Sequence, residues 1–191
     1  LSRLRHPSLG PVPPDVFIQI AERSGCIADI GCLQFRRVCA FVREYRSKLY
    51  GIKNIKVNLS PAEFLSPGHG GILRNIMDEY GIEPSFFQFE ITETAATQYS
   101  DSLMQALSEF RKAGIGLCMD DFGSGYANLN AVMRIPFSTI KLDRSLLTGA
   151  KENEKIRIFY KSITSILSDM GFYVVAEGVE NQEELAFIQQ C

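Results

Sequence analysis

The sequence has few of the residues that build zinc and disulfide sites. It contains only two histidines, His6 and His69, and five cysteines, an odd number with no Cys-x-x-Cys pair. A zinc site built on histidine and cysteine is therefore not expected. We interpret the cysteines as reduced core residues of a cytosolic protein. Any bound metal must take its ligands mostly from carboxylates.

A charge excess and long apolar runs are also missing. The formal net charge is −2 over 191 residues, which gives no electrostatic basis for binding DNA, an RNA polymer or an anionic membrane. No apolar stretch reaches membrane-spanning length, and the first residues show no secretory signal. We expect a cytoplasmic location, without membrane contact by this segment. The segment could equally be the cytoplasmic part of a membrane-anchored parent protein.

A regular alternation of strand-like and helix-like segments predicts a parallel α/β fold in one domain, residues 1–191. Short apolar runs predict strands at 55–59, 87–92, 115–121, 139–143 and 173–177. Apolar residues at helical spacing predict helices at 16–23, 31–49, 72–80 and 156–170, one capped by Ser100 with Leu103, Leu107 and Phe110, and one beginning at Asn181. An open doubly wound sheet and a (β/α)₈ barrel both fit this order. No glycine-rich dinucleotide fingerprint follows any strand, which disfavours a Rossmann fold.

Each predicted strand ends in polar residues that a purely structural strand would avoid. Within 87–92, Phe87, Phe89 and Ile91 share one face and Glu90 takes the other. In a barrel the helices cover the apolar face, so Glu90 would point inward near the C-terminal mouth, where barrel enzymes hold their active sites. The residues expected to converge there are Asn58, Glu90, one of Asp120 and Asp121, Lys141 and Glu177.

The pair Asp120-Asp121, followed by Gly-Ser-Gly-Tyr, is the most informative of these strand ends. Adjacent carboxylates repel each other, whereas hard divalent cations such as Mg²⁺ and Mn²⁺ prefer oxygen ligands. Lys141 alone cannot neutralise several converging acids, so the sequence predicts one or two divalent metals at this position.

Each of these residues, taken alone, also has a purely structural interpretation. These alternatives are a turn residue (Asn58), an exposed strand edge (Glu90 and Glu93), a cap (Asp120), a local ion pair (Asp143-Arg144) and a helix-start carboxylate (Glu180). Because all five strands end in polar groups, a shared site is favoured over five separate structural roles.

Six motif-like segments follow one another along nearly the whole chain: P-P-D-V-F-I-Q-I-A-E-R-S-G at 13–25, V-N-L-S at 57–60, F-E-I-T-E-T at 89–94, M-D-D-F-G-S-G-Y at 119–126, I-K-L-D-R-S at 140–145 and V-V-A-E-G-V-E at 174–180. Together they resemble the EAL-domain family of bacterial cyclic-di-GMP phosphodiesterases. The resemblance implies a TIM-type (β/α)₈ barrel that uses Mg²⁺ or Mn²⁺ in a two-metal site to hydrolyse cyclic di-GMP to linear pGpG. It also implies a homodimer.

The resemblance further implies a role for each matching residue. Asn58, Glu90 and Asp120 would ligate one metal, and Asp121 would serve the second with Asp120 bridging. Lys141 would position the attacking water or the phosphate, and Glu177 would contact the metal–water cluster. Supporting roles would fall to Glu93, which anchors the loop 122–129, to Glu180 near the substrate, and to Arg3 on a substrate phosphate.

The match departs from the family pattern at both ends. Leu1 aligns with the last letter of the Glu-Ala-Leu motif, so the glutamate ligand would precede residue 1, and the chain stops before the last strand and its Gln-Gly segment. We therefore expect a barrel incomplete at both ends, in which this segment alone is poorly stable and weakly active or inactive. The alternatives are a non-catalytic receptor for cyclic di-GMP or a protein partner, and an unrelated enolase-like barrel, against which the Asp-Asp-Phe-Gly loop argues.

Overall fold

The structure, a computed structural model, describes residues 3–46, 51–98, 104, 106–107, 110–125 and 129–191. The chain forms two compact units. The first consists of Leu1–Phe87 with Gln105–Ile115, and the second of Gln88–Met104 with Gly116–Cys191. The predicted helix cap Ser100 and its residue Leu103 lie outside the described residues. The helices of the described part are all too short or too polar to cross a membrane.

The first unit opens with a hairpin and continues with two helices, one strand and two further helices. Strands β1 and β2 pair antiparallel, with Leu4 opposite Val12. Its elements are β1 (Leu4–His6), β2 (Gly10–Val12), α1 (Pro14–Ser24), α2 (Ile27–Tyr45), β3 (Ile55–Asn58), α3 (Pro61–Phe64) and α4 (His69–Tyr80).

The core of the first unit is built on aromatic pairs. Phe35 of α2 meets Phe87 edge to face with ring centroids 4.9 Å apart, and Phe64 of α3 stacks on Phe110 at 4.7 Å. All four rings are nearly or fully buried. Such pairs contribute about 0.5–1.5 kcal/mol beyond the area they bury, so they fix α2 and α3 against the segments that carry Phe87 and Phe110.

A glycine inside α2 makes room for a buried carboxylate. A Cβ at Gly31 would lie 1.6 Å from Oε1 of Glu63. Glu63 is buried, and burial raises the pKa of its carboxyl group. Its carboxylate accepts a hydrogen bond from the Ser60 amide at 2.9 Å, while the Ser60 hydroxyl accepts one from the Glu63 amide. This capping box begins α3 and fixes the chain two residues after β3 ends at Asn58.

Gly31→Ala is expected to lower the free energy of unfolding, although alanine normally stabilises a helix interior relative to glycine by about 0.5–1 kcal/mol. The added methyl group must displace the Glu63 carboxylate, and overpacking of this kind costs about 1–3 kcal/mol. Gly71→Ala in α4 is the matched control, because nothing lies within 4 Å of a Cβ there. Urea unfolding followed by circular dichroism should show opposite shifts for the two variants. Shifts of the same sign would contradict this packing argument.

The second unit contains a parallel sheet in which β4, β5, β6 and β7 follow one another in chain order. Their carboxyl ends therefore meet at one edge. Its elements are β4 (Phe87–Thr92, shared with the first unit at Phe87), α5 (Glu93–Gln98), β5 (Gly116–Phe122), α6 (Leu129–Arg134), β6 (Thr139–Leu142), α7 (Arg144–Glu152), α8 (Glu154–Asp169), β7 (Tyr173–Ala176) and α9 (Gln182–Ile188).

The parallel strands confirm the predicted α/β fold class. The predicted strand 87–92 matches β4, and the other predicted strands differ from β3, β5, β6 and β7 by one residue at one or both ends. The sequence prediction missed the β1–β2 hairpin and the short helices α3, α5, α6 and α7. All five cysteines are free, as expected, but the interpretation as core residues holds only in part: Cys39 and Cys118 are buried, whereas Cys26 is exposed.

Candidate metal centre

A bulge in β5 places two adjacent aspartates on one cluster. In the pairing of β5 with β6, Met119 lies opposite Ile140 and Phe122 opposite Leu142, so Asp120 and Asp121 together face Lys141. Side chains of a regular strand alternate between faces, which would separate the two carboxylates. The extra residue changes this alternation.

Asp121 has the backbone conformation that the bulge requires. Its φ angle is 56°, and it is the non-glycine residue with positive φ among those described. This left-handed region is uncommon for side chains other than Asn, Asp and His. Carboxylate oxygens of Asp120, Asp121 and Glu177 lie within 4.8 Å of one another as a result. The strand pattern alone expected one aspartate of the pair at this position, whereas the resemblance implied a metal role for both; the structure brings both there.

Lys141, from the middle of β6, connects the carboxylates of three neighbouring strands. Its Nζ lies 2.9 Å from Glu90 of β4, 2.6 Å from Asp120 of β5 and 2.6 Å from Glu177, which directly follows β7. An ammonium has three hydrogen atoms to donate, so these three contacts can use all of them. The four side chains are between 9% and 30% exposed, which places the cluster in a largely desolvated position.

The electrostatics of this cluster favour an added cation. Glu90, Asp120, Asp121 and Glu177 bring four carboxylates against the single ammonium of Lys141. Burial, followed by the charges of Asp120 and Asp143, raises the pKa of Asp121. Burial opposes the charge of Lys141, but the hydrogen bonds that the ammonium donates to Asp120, Glu177 and Glu90 outweigh it and raise the pKa of the ammonium. Closely spaced carboxylate oxygens are the donors that Mg²⁺ and Mn²⁺ prefer, so these residues fit a divalent metal.

Glu93 and Leu146 fix the loop that begins after β5. Glu93 is 4% exposed, and its Oε2 accepts a hydrogen bond from the Gly123 amide at 2.8 Å. A Cβ at Gly123, where φ is 90°, would lie 2.3 Å from the Leu146 side chain. The contact lies where the resemblance expects Glu93 to anchor the loop 122–129. Residues 126–128 lie outside the described residues, and the anchoring role stays a prediction.

Three further residues were predicted for the site: Asn58, Arg3 and Glu180. Asn58 ends β3 in the first unit and is exposed, and Arg3 precedes β1 in the same unit and is exposed; their metal and substrate roles stay predictions. Glu180 is exposed, with its carboxylate 2.7 Å from Nη1 of Arg144. The alternative of a local Asp143–Arg144 ion pair is wrong. Asp143 instead caps α7, accepting a hydrogen bond from the Ser145 amide at 2.9 Å.

The sequence prediction overlooked Glu184 and Lys151. Glu184 is buried at the start of α9, where it forms a capping box with Asn181 and an ion pair with Lys151. An Asn-x-x-Glu pattern just before an apolar helical segment is a recognised helix-start signal. The pattern at 181–184 could therefore have identified the capping residue, but not the partner on α7.

Comparisons with known proteins agree on a family. The family model of the EAL domain matches residues 1–191. The cyclic di-GMP phosphodiesterase RocR of Pseudomonas aeruginosa is 32% identical over 184 residues, which make up 96% of this chain and 47% of RocR. The chain spans 22% to 47% of the length of curated relatives that it matches.

Solved structures agree on the fold. The structure of the PaMucR phosphodiesterase in complex with c-di-GMP has a TM-score of 0.86 and 30% identity, over 98% of this chain and 76% of that one. The FimX EAL domain has a TM-score of 0.88 at 23% identity, over 100% of this chain and 76% of that one, and it supports the fold alone. Similarity to these EAL domains confirms the predicted TIM-type barrel class.

Proposed function

Because this chain belongs to the EAL domain family, we propose that it hydrolyses cyclic di-GMP to linear pGpG in a reaction that needs Mg²⁺ or Mn²⁺. The observation that carries the proposal is the group of Asp120, Asp121 and Glu177 carboxylates at one edge of the sheet, with Lys141 in contact with Asp120 and Glu177. Relatives named as cyclic di-GMP phosphodiesterases, RocR and NbdA of Pseudomonas aeruginosa, support the choice of substrate.

The proposed ligands are the acids of the cluster. Asp120, Asp121 and Glu177 would hold metal through their carboxylates, together with Glu90, which already contacts Lys141. Asn58 is proposed as a further ligand. Divalent ions bound there would screen the anionic phosphodiester and acidify a coordinated water. The charge of the cluster supports this assignment, because four carboxylates meet one ammonium.

The residues of this chain then hold the reacting groups. Lys141 keeps its proton, because its pKa is raised, so its Nζ stabilises negative charge on the phosphoryl oxygens and does not act as a base. Asp121 and Glu177 accept hydrogen bonds from the attacking water and orient it toward phosphorus. The water oxygen forms a bond to phosphorus and releases one proton to solvent, the bond from phosphorus to the 3′ oxygen breaks, and that oxygen takes up a solvent proton to become a hydroxyl group. Arg3 and Glu180 are proposed to contact or support the substrate.

The test is to incubate the full-length protein with cyclic di-GMP and to separate the products by chromatography. We expect pGpG to form with Mg²⁺ or Mn²⁺ and no turnover with excess EDTA. Tight binding of cyclic di-GMP without turnover would overturn the proposal in favour of a receptor. Neither binding nor turnover would overturn both functions. Homodimerisation is a separate proposal, and sedimentation velocity of the same sample tests it.

A further inference from the structure

The loop that carries Glu177 is held by more than its own strand. Glu177 follows β7 directly, and its amide donates a hydrogen bond to the Leu142 carbonyl oxygen at 3.1 Å. Beyond that bond the chain leaves the sheet for four residues, with Gly178 at a φ of 70°, before α9 begins at Gln182. The Glu177 side chain is 30% exposed, the most exposed of the four side chains in the Lys141 contacts. Its place therefore depends on what holds the loop.

Glu184 holds the far end of this loop. One carboxylate oxygen accepts hydrogen bonds from the amides of Glu180, at 2.6 Å, and Asn181, at 3.2 Å. The other oxygen contacts Nζ of Lys151 near the end of α7. The pKa of Glu184 falls to about 2 because of the hydrogen bonds from Lys151 and from the Glu180 amide, so the carboxylate stays ionised at neutral pH. Glu184 is buried, with 7% of its surface exposed, although a residue that only caps a helix can remain exposed to solvent.

The first residue of α7 holds the near end of the same loop. A Cβ at Gly178 would lie 2.5 Å from Cγ of Arg144, so the Arg144 stem lies directly against the loop backbone. The Arg144 guanidinium also pairs with Glu180 at 2.7 Å. Helix α7 thus contacts the loop directly through Arg144 at its start. Near its end it also reaches the loop indirectly, because Lys151 pairs with Glu184, which holds the loop amides. The same helix begins just after β6, the strand that carries Lys141. The Nζ of Lys141 lies 2.6 Å from the Glu177 carboxylate.

We infer that Glu184 and Lys151 are positioning residues that hold the loop 177–181 on α7 and thereby keep the Glu177 carboxylate in the metal cluster. The metal part of this inference rests on the proposed function. Glu184 contacts none of the cluster carboxylates within the described residues; it acts through the backbone amides of Glu180 and Asn181. Groups that orient a metal ligand in this way typically change metal affinity by about 10- to 100-fold when they are removed.

The test compares three variants of the full-length protein. Glu184→Ala removes both functions of the carboxylate, and Lys151→Met removes only the ion pair. Glu183→Ala is the matched control. It removes the same charge from the same first turn of α9, but Glu183 is exposed and its side chain makes no hydrogen bond or ion pair within the described part of the chain. If Glu184→Ala does not fold, Lys151→Met carries the comparison.

The first readout is hydrogen exchange of the peptide that spans 177–182, which needs neither metal nor turnover. We expect faster exchange there in Glu184→Ala, a smaller increase in Lys151→Met, and unchanged exchange in Glu183→Ala and in the strand β5. The second readout is Mn²⁺ affinity measured by electron paramagnetic resonance. It should fall about tenfold in Glu184→Ala, and a saturating metal concentration should restore most of kcat.

The outcomes separate this inference from the proposed function. A wild type that hydrolyses cyclic di-GMP, with Glu184→Ala equal to Glu183→Ala in exchange and Mn²⁺ affinity, would overturn the inference and leave the proposed function standing. Faster exchange in every peptide of Glu184→Ala would also overturn the inference, because Glu184 would then stabilise the whole fold and not this loop in particular. A wild type without turnover or Mn²⁺ binding would overturn the proposed function, and the local exchange would then decide whether Glu184 positions the loop.

Discussion

Replacing Lys141 with methionine should lower the rate of cyclic di-GMP hydrolysis about 10³-fold, the size of effect seen when one preorganised electrostatic contact to a transition state is removed. Methionine keeps much of the side-chain volume but removes the ammonium that lies 2.6 to 2.9 Å from Asp120, Glu177 and Glu90. The measurement is kcat/KM with saturating Mg²⁺. A matched control is Lys155→Met, because Lys155 is exposed on α8 and should keep full activity.

The same variant should lose stability when metal is absent. Removing one member of a desolvated charge cluster leaves the partners uncompensated, which costs about 3–5 kcal/mol. We expect a lower Tm in EDTA and a larger rise in Tm on adding Mg²⁺ than in the wild type, because a divalent ion can replace the missing charge. A Lys141→Met protein with wild-type kcat/KM, or with an unchanged Tm in EDTA, would contradict the assignment of Lys141 as the charge that holds the acids together.

Asp121→Asn should abolish most of the activity without destabilising the fold. The loss should again be about 10³-fold, because the variant removes an anionic group from the proposed ligand set. Asparagine tolerates the left-handed conformation found at residue 121, so the bulge in β5 should persist. The measurements are kcat/KM and Tm, with Asp169→Asn on the exposed end of α8 as a control for charge.

The direction of the stability change follows from the pKa of Asp121. Burial and the neighbouring Asp120 raise this pKa, which means that the folded protein disfavours the charged form. The penalty is present above the folded pKa and disappears as the group is protonated at lower pH. A neutral asparagine removes the penalty, so the metal-free variant should have a Tm at neutral pH at least as high as the wild type. A clear fall in Tm would show that Asp121 supports the fold and would count against a purely functional role.

The sequence predicted the strands well because their physical signal is local. Phe87, Phe89 and Ile91 alternate with polar residues along β4, and this period directed Glu90 to the correct face. The same alternation placed only one of Asp120 and Asp121 at the site, and it was the resemblance that implied a role for both. Alternation assumes a regular strand without bulges. The bulge in β5 is defined by its pairing with β6, and the residue spacing within β5 alone does not reveal that pairing.

Other errors arose where one residue had two plausible partners. Asp143 and Arg144 are adjacent and opposite in charge, but Asp143 caps its own helix while Arg144 reaches Glu180. Helix caps are satisfied within a few residues, whereas ion pairs depend on the tertiary fold. The short helices α5, α6 and α7 were missed for a related reason: they have too few turns to show a clear apolar period. Lys151 and Glu184 lie 33 positions apart, so no local pattern could pair them.

If Asp120, Asp121 and Glu177 hold a divalent cation that cyclic di-GMP hydrolysis requires, metal binding and turnover must be lost together when this group is altered. The most direct measurement is a Mn²⁺ titration by electron paramagnetic resonance on the wild type, Asp121→Asn and Asp169→Asn, with hydrolysis recorded on the same samples. We expect Mn²⁺ binding that rises in parallel with turnover in the wild type and Asp169→Asn, and a large loss of both in Asp121→Asn. Mn²⁺ binding by Asp121→Asn equal to that of the wild type, or turnover that persists in excess chelator, would contradict this expectation.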